Sequence, residues 1–204
     1  SPNPKISLVR KGVALCRREG LDFVLAVGGG SVIDSAKAIA MGAATGRDPW
    51  EFASTGTRPD KTLPVATVLT LAASGSETSN SCVLTNEETK EKRGITSETN
   101  RPVISFLNPE NTFTVSKFQT GCGIVDIMMH TLERYLTPEG GESDLTDRIA
   151  EGLLIATRDA GRRAIADPRD YEARATLMWA GSVSHNDYTG CGRKRLFPVH
   201  KLEH

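Results

Sequence analysis

The chain has 204 residues, 38% hydrophobic and 25% charged, with 25 basic and 25 acidic side chains. That length holds about one to one and a half ordinary domains and can bury a sizeable core. The even charge balance leaves no electrostatic footprint for nucleic acid, and no apolar run approaches the ~20 residues of a membrane span, so neither partner is expected. The opening stretch SPNPKISLVRKG lacks the apolar core of a signal peptide and begins on Ser rather than Met, which suggests processing or a fragment. Cys16, Cys82, Cys122 and Cys191 stand far apart with no CxxC pair, so they are expected as reduced, small hydrophobes of a cytoplasmic protein.

In chain order, residues 6–19 place Leu8, Val9, Val13, Ala14 and Cys16 near helical spacing, and Gly20 supplies the stop. The stretch 21–40, LDFVLAVGGGSVIDSAKAIA, predicts a buried strand at about 23–27, a glycine turn and a helix at about 31–43. Residues 44–60 are rich in Gly, Asp and Pro and read as loop. Residues 63–69 are β-branched and apolar, a second buried strand, followed by a small, hydroxylated stretch over 70–80. Residues 86–102 are charged and polar, a surface excursion, and 102–107 form a third apolar strand closed by Asn108-Pro109. After about residue 112 strand signals cease, and helical patterns cover roughly 116–136, 142–166 and 170–186. The alternating first half predicts a parallel α/β sheet, and the second half an all-helical domain.

Three places carry chemistry. At GGGS the unpaired first amides of a helix, with the positive end of its dipole, suit a phosphate, and Ser31 is placed either to cap the helix or to donate to the anion; the alternative is an ordinary βα turn. The segment TVLTLAASGSETSNS follows a strand, where open α/β sheets bind ligands; the alternative is a polar loop that caps the next helix. In GCGIVDIMMHTLERYL, Asp126 and His130 are four residues apart and project from one helix face. They could supply two ligands of a divalent metal or form a satisfied helix pair. His200 and His204 repeat that spacing, although LEH at a C-terminus is also what an expression-tag scar looks like.

Taken together and in this order, AVGGGSVIDSAKAIA, LPVATVLTLAASGSE, NEETKEKRGI, FLNPENTFTV and GCGIVDIMMHTLERYL resemble the iron-dependent (group III) alcohol dehydrogenase family, on its butanol dehydrogenase and NADPH-dependent aldehyde reductase branch. The resemblance implies an incomplete Rossmann-like nucleotide-binding part over 1–111, followed by an all-α metal-binding domain over 112–204. It assigns Gly29, Gly30, Ser31 and Asp34 to the pyrophosphate region of NADP or NAD, and Thr70, Leu71, Ser74, Ser76 and Lys92 to the rest of the cofactor. It assigns Asp126, His130 and His200 to Fe(II) or Zn(II), with His204 one turn beyond. The implied activity is interconversion of primary alcohols and aldehydes by hydride transfer in a cytoplasmic homo-oligomer, with no catalytic residue beyond the metal site.

The family pattern also has an earlier βαβ unit and a later fourth histidine ligand that this chain does not contain, so impaired activity is expected. Leu196-Phe197-Pro198-Val199 departs from the family pattern and leaves 196–204 open as divergence or a foreign tail. The alternatives are a relative that normally uses zinc, such as glycerol dehydrogenase or dehydroquinate synthase, and a non-catalytic folded fragment that only binds nucleotide or self-associates.

Overall fold

The computed structural model describes residues 3–137, 143–193 and 198–203. They form two compact units, one of Ser1–Leu69 with Ser76–Phe106 and the other of Thr70–Gly75 with Leu107–His204. The loop after the second strand is therefore built into the helical unit rather than the sheet unit.

The first unit opens with α1 (Ile6–Glu19), ended by Gly20 in the left-handed conformation with φ +63°. Strand β1 (Val24–Gly28) leads into α2 (Gly30–Thr45), then α3 (Pro49–Thr55) and β2 (Val65–Leu69). An antiparallel hairpin, β3 (Ser81–Asn86) and β4 (Glu91–Thr96), precedes the short β5 (Ile104–Phe106). The parallel sheet has the order β1-β2-β5, with Leu25 beside Ala66 beside Ile104 and Val27 beside Val68 beside Phe106. The core collects Ile6 and Val9 of α1, Ala38 and Met41 of α2, Phe52 of α3, and Cys82, Leu84 and Ile95 of the hairpin.

Three expectations differ from this structure. The strand at 23–27 is not buried on both sides: Leu25 is 56% and Val27 57% exposed, on the same face as Ile104 and Phe106 at 50% and 52%. A continuous apolar run reads as doubly buried because parallel sheets usually are; among the described residues, that face stays open. The span 44–60 contains a helix, α3, started by Asp48, whose Oδ1 accepts from Trp50 N at 3.1 Å, and by Pro49 at its first position. The excursion 86–102 holds the second strand of a hairpin: Cys82 and Leu84 alternate inward on β3 and Ile95 faces them from β4.

The second unit is helical, with α4 (Lys117–Tyr135), α5 (Asp144–Ala166), α6 (Tyr171–Ser184) and the short α7 (Pro198–Glu203). Ser116 Oγ accepts from Gln119 N at 3.2 Å to start α4, and Asp170 Oδ1 accepts from Ala173 N at 3.0 Å to start α6. Ile127, Leu153 and Ala180 form one core cluster, and Ala160, Ala164, Ala173 and Leu177 another. No described helix is long and apolar enough to cross a membrane.

Candidate metal centre and nucleotide turn

Helix α4 carries the centre. Its Gly123 lets the backbone of the 70–75 loop approach closely, since a Cβ there would lie 2.3 Å from the Ala72 carbonyl oxygen. One turn along, Asp126 and His130 share a face, as their spacing predicts. His130 Nδ1 lies 3.7 Å from Asp126 Oδ1, and His200 Nε2, on α7, lies 3.5 Å from the same oxygen. One ligand atom from each of the three residues fits within a 4.8 Å spread. Both separations exceed an ordinary hydrogen bond. Neighbouring ligands at ~2.0–2.2 Å from one shared ion sit about 3–3.6 Å apart, so the 3.5 Å separation falls within that range and the 3.7 Å one just beyond it. One carboxylate oxygen and two imidazole nitrogens form a donor set suited to Fe(II) or Zn(II).

The two imidazoles have different electrostatic surroundings. Burial, then the neighbouring His185, pushes the His130 pKa well below its ordinary value, which favours the neutral imidazole. His200 moves the other way: its contact with Asp126, and then Glu133, raises its pKa against the effect of burial. The His130 and His200 rings stack with centroids 4.4 Å apart, and the His185 ring meets His130 edge-on at 4.3 Å.

Three supporting residues carry no distinctive signal in the sequence. Glu133, 6% exposed, has Oε1 accepting from the Val199 and His200 amides and Oε2 against His200 Nδ1. Arg134, 2% exposed, donates from Nη1 to the His130 and Ser184 carbonyl oxygens and to Thr189 Oγ1, tying α4 to the end of α6. His185 caps α6 and brings its ring to the centre. The i, i+3 spacing of His130 and Glu133 was readable, but on a helix with that many polar residues it does not single out one carboxylate. His204 lies outside the described residues.

In the first unit, Gly29 is the N-cap of α2 with no side-chain cap, and Gly30 and Ser31 open the helix. Ser31 is thus inside the first turn, not the cap. None of Gly28, Gly29 and Gly30 adopts positive φ; Gly28 is needed because a Cβ would lie 2.6 Å from Val32 Cγ2. Gly28 thus serves close packing, and no glycine of the turn supplies left-handed backbone. Asp34 does not point at the turn. Its Oδ1 accepts from Ser76 Oγ at 2.5 Å and its Oδ2 from Val83 N at 2.9 Å.

Lys37, fully buried, closes the same network. Its Nζ donates to the carbonyl oxygens of Ser76, Ser79 and Ser81 at 2.6, 3.0 and 2.8 Å. Burial pushes the Lys37 pKa down and that of Asp34 up, while each charge works against that shift in the other. Ser76 is held by both residues, and Lys92 sits on β4 opposite Thr85. Thr70, Leu71 and Ser74 belong to the second unit, where Leu71 lines a small pocket with Ile124, Ile127, Arg174 and Leu177.

Comparison with known proteins identifies the family. A family model described as iron-containing alcohol dehydrogenase matches residues 1–109. The chain is 43% identical over 203 residues to NADH-dependent butanol dehydrogenase A of Clostridium acetobutylicum, covering 100% of this chain and 52% of that protein. It is 36% identical over 206 residues to the NADPH-dependent aldehyde reductase YqhD of Escherichia coli, covering 100% of this chain and 53% of that protein. The crystal structure of NADH-dependent butanol dehydrogenase A from Thermotoga maritima superposes with a TM-score of 0.90 at 41% identity, over 95% of this chain and 48% of that one. The chain spans about half the length of the curated relatives it matches, and the match includes residues 196–204 rather than ending near Arg195. The chain belongs to the iron-containing alcohol dehydrogenase family.

Proposed function

We propose that this chain supplies the metal centre and the pyrophosphate turn of an oxidoreductase that interconverts primary alcohols and aldehydes with NADP or NAD. The observation that carries the reading is the meeting of Asp126, His130 and His200 at one ion-sized spacing. The relatives support it: one is named an NADH-dependent butanol dehydrogenase, the other an NADPH-dependent aldehyde reductase.

Asp126, His130 and His200 would hold Fe(II) or Zn(II), which when bound supplies Lewis-acid polarisation of an alcohol or aldehyde oxygen. The nicotinamide supplies the hydride chemistry. The residues of this chain do the rest. Burial lowers the His130 pKa and so favours the neutral ring, whose lone pair is available to an ion. The Asp126 carboxylate would bring one negative charge to such an ion and temper its acidity. The open first turn of α2 at Gly29, Gly30 and Ser31 presents backbone amides and the positive helix end to a pyrophosphate. Asp34 and Lys37 act indirectly, fixing the Ser76–Ser81 loop against α2. Thr70, Leu71, Ser74, Ser76 and Lys92 are assigned to the remaining cofactor contacts.

The test is aldehyde-dependent oxidation of NADPH and NADH by anaerobically Fe(II)-loaded protein. The reading predicts slow oxidation, as expected of a chain that spans about half the length of its relatives, that requires the metal and disappears in Asp126→Ala. Aldehyde-dependent oxidation that survives this substitution, or none under any loading, refutes it for this chain.

A further inference from the structure

Glu133 is a buried carboxylate that neither the ligand set nor the nucleotide turn uses. It lies on α4 three residues after His130, hence on the same side of the helix. Its two oxygens have different tasks. Oε1 accepts the amides of Val199 and His200, the first turn of α7, and Oε2 faces His200 Nδ1. A carboxylate only accepts, so the hydrogen in the last contact is carried by Nδ1. In a neutral imidazole the other nitrogen then keeps its lone pair. That nitrogen, Nε2, is the one 3.5 Å from Asp126 Oδ1.

We propose that Glu133 is the positioning residue of the metal centre: it fixes His200 as the Nδ1–H tautomer and thereby offers Nε2 as a ligand. The consequence for metal binding rests on the metal reading above; the tautomer itself does not. Glutamine at this position makes a sharp probe. Its single carbonyl oxygen can still accept the two α7 amides, which leaves its NH2 facing Nδ1. Nδ1 must then accept, the hydrogen moves to Nε2, and the ligand lone pair is lost. A merely structural helix cap would be kept by the same substitution.

The experiment is long-range 1H–15N NMR of 15N-histidine-labelled protein at alkaline pH, with His200 assigned by its absence in His200→Ala, followed by Co(II) titration. The parent is expected to show the Nδ1–H pattern at His200 and Glu133→Gln the Nε2–H pattern. Co(II) affinity should fall ~10–100-fold, the usual effect of losing such an outer partner, with little change in the denaturation midpoint. An Nε2–H pattern in the parent overturns the proposal, as does unchanged Co(II) affinity in Glu133→Gln. Should Glu133→Gln fail to fold, the parent spectrum decides alone. A parent that shows Nδ1–H but binds no Co(II) refutes the metal reading while upholding the tautomer assignment.

Discussion

Replacing Lys37 by Met tests how the first unit holds its loop. The side chain is fully buried, and its Nζ is donor to three main-chain carbonyls at 2.6, 2.8 and 3.0 Å. Methionine keeps the length and the packing but donates nothing. Each buried acceptor left without a donor costs about 1–3 kcal/mol, so three set a ceiling of ~9 kcal/mol. Relief of the ammonium's own desolvation offsets several kcal/mol of that. The expected net loss is about 3–5 kcal/mol, a large share of the ~5–15 kcal/mol typical of a folded domain.

The assay can be confined to this unit. Trp50 packs against the core of Ile6, Val9, Met41 and Phe52, whereas Trp179 of the other unit is 63% exposed. In a Trp179→Phe background, Trp50 emission during urea unfolding reports the first unit alone. A second substitution, Asp34→Asn, should recover part of the loss, because Lys37→Met leaves Asp34 as a charge whose partner is gone. A loss below about 1 kcal/mol with an unchanged urea slope would refute the reasoning, since it would mean that the carbonyls find other donors at no cost.

Two glycines should respond in opposite directions. At Gly75, with φ +65° and a Cβ position 2.5 Å from the Gly181 carbonyl oxygen, alanine should destabilise the helical unit by at least about 2 kcal/mol; at Gly121, inside α4 with nothing near its Cβ position, alanine should stabilise by up to ~1 kcal/mol. Thermal melts of both variants check the pair, and a stabilised Gly75→Ala would contradict the close packing. Thiol labelling of the native protein should modify Cys122 and Cys191 first, because both are exposed. Cys82 should stay unmodified until unfolding, because burial pushes its thiol up to about 12. Fast labelling of Cys82 would show that the hairpin opens readily.

The legible parts of the fold were those in which one local rule dominates. Helices α1, α4, α5 and α6 follow from apolar spacing, and the ends of β1 and β2 from glycine and hydroxyl-rich breaks. The hairpin was hidden because Lys92 and Arg93 give it a polar surface, and its inward positions, Cys82 and Leu84 against Ile95, are few. Helix α3 was overlooked despite the Asp48-Pro49 signal, outweighed by the Gly and Asp around it. The exposure of Leu25 and Val27 could not be read from an apolar run, because the run carries no information about which face has a covering layer.

At the candidate metal centre, Asp126 and His130 were visible through one helical period, and His200 only through resemblance, since a contact across about 70 residues leaves no local pattern. Glu133, Arg134, His185 and Lys37 were invisible for the same reason: their partners are distant in sequence.

The central claim is that Asp126, His130 and His200 bind one divalent ion. Anaerobic titration with Co(II), followed by its visible spectrum and by metal analysis after desalting, tests it directly. The account predicts saturation at about one ion per chain with a spectrum of mixed oxygen and nitrogen ligation, and loss of that signal in Asp126→Ala. Binding of the same stoichiometry and spectrum in Asp126→Ala, or no specific binding by the parent protein, would contradict it.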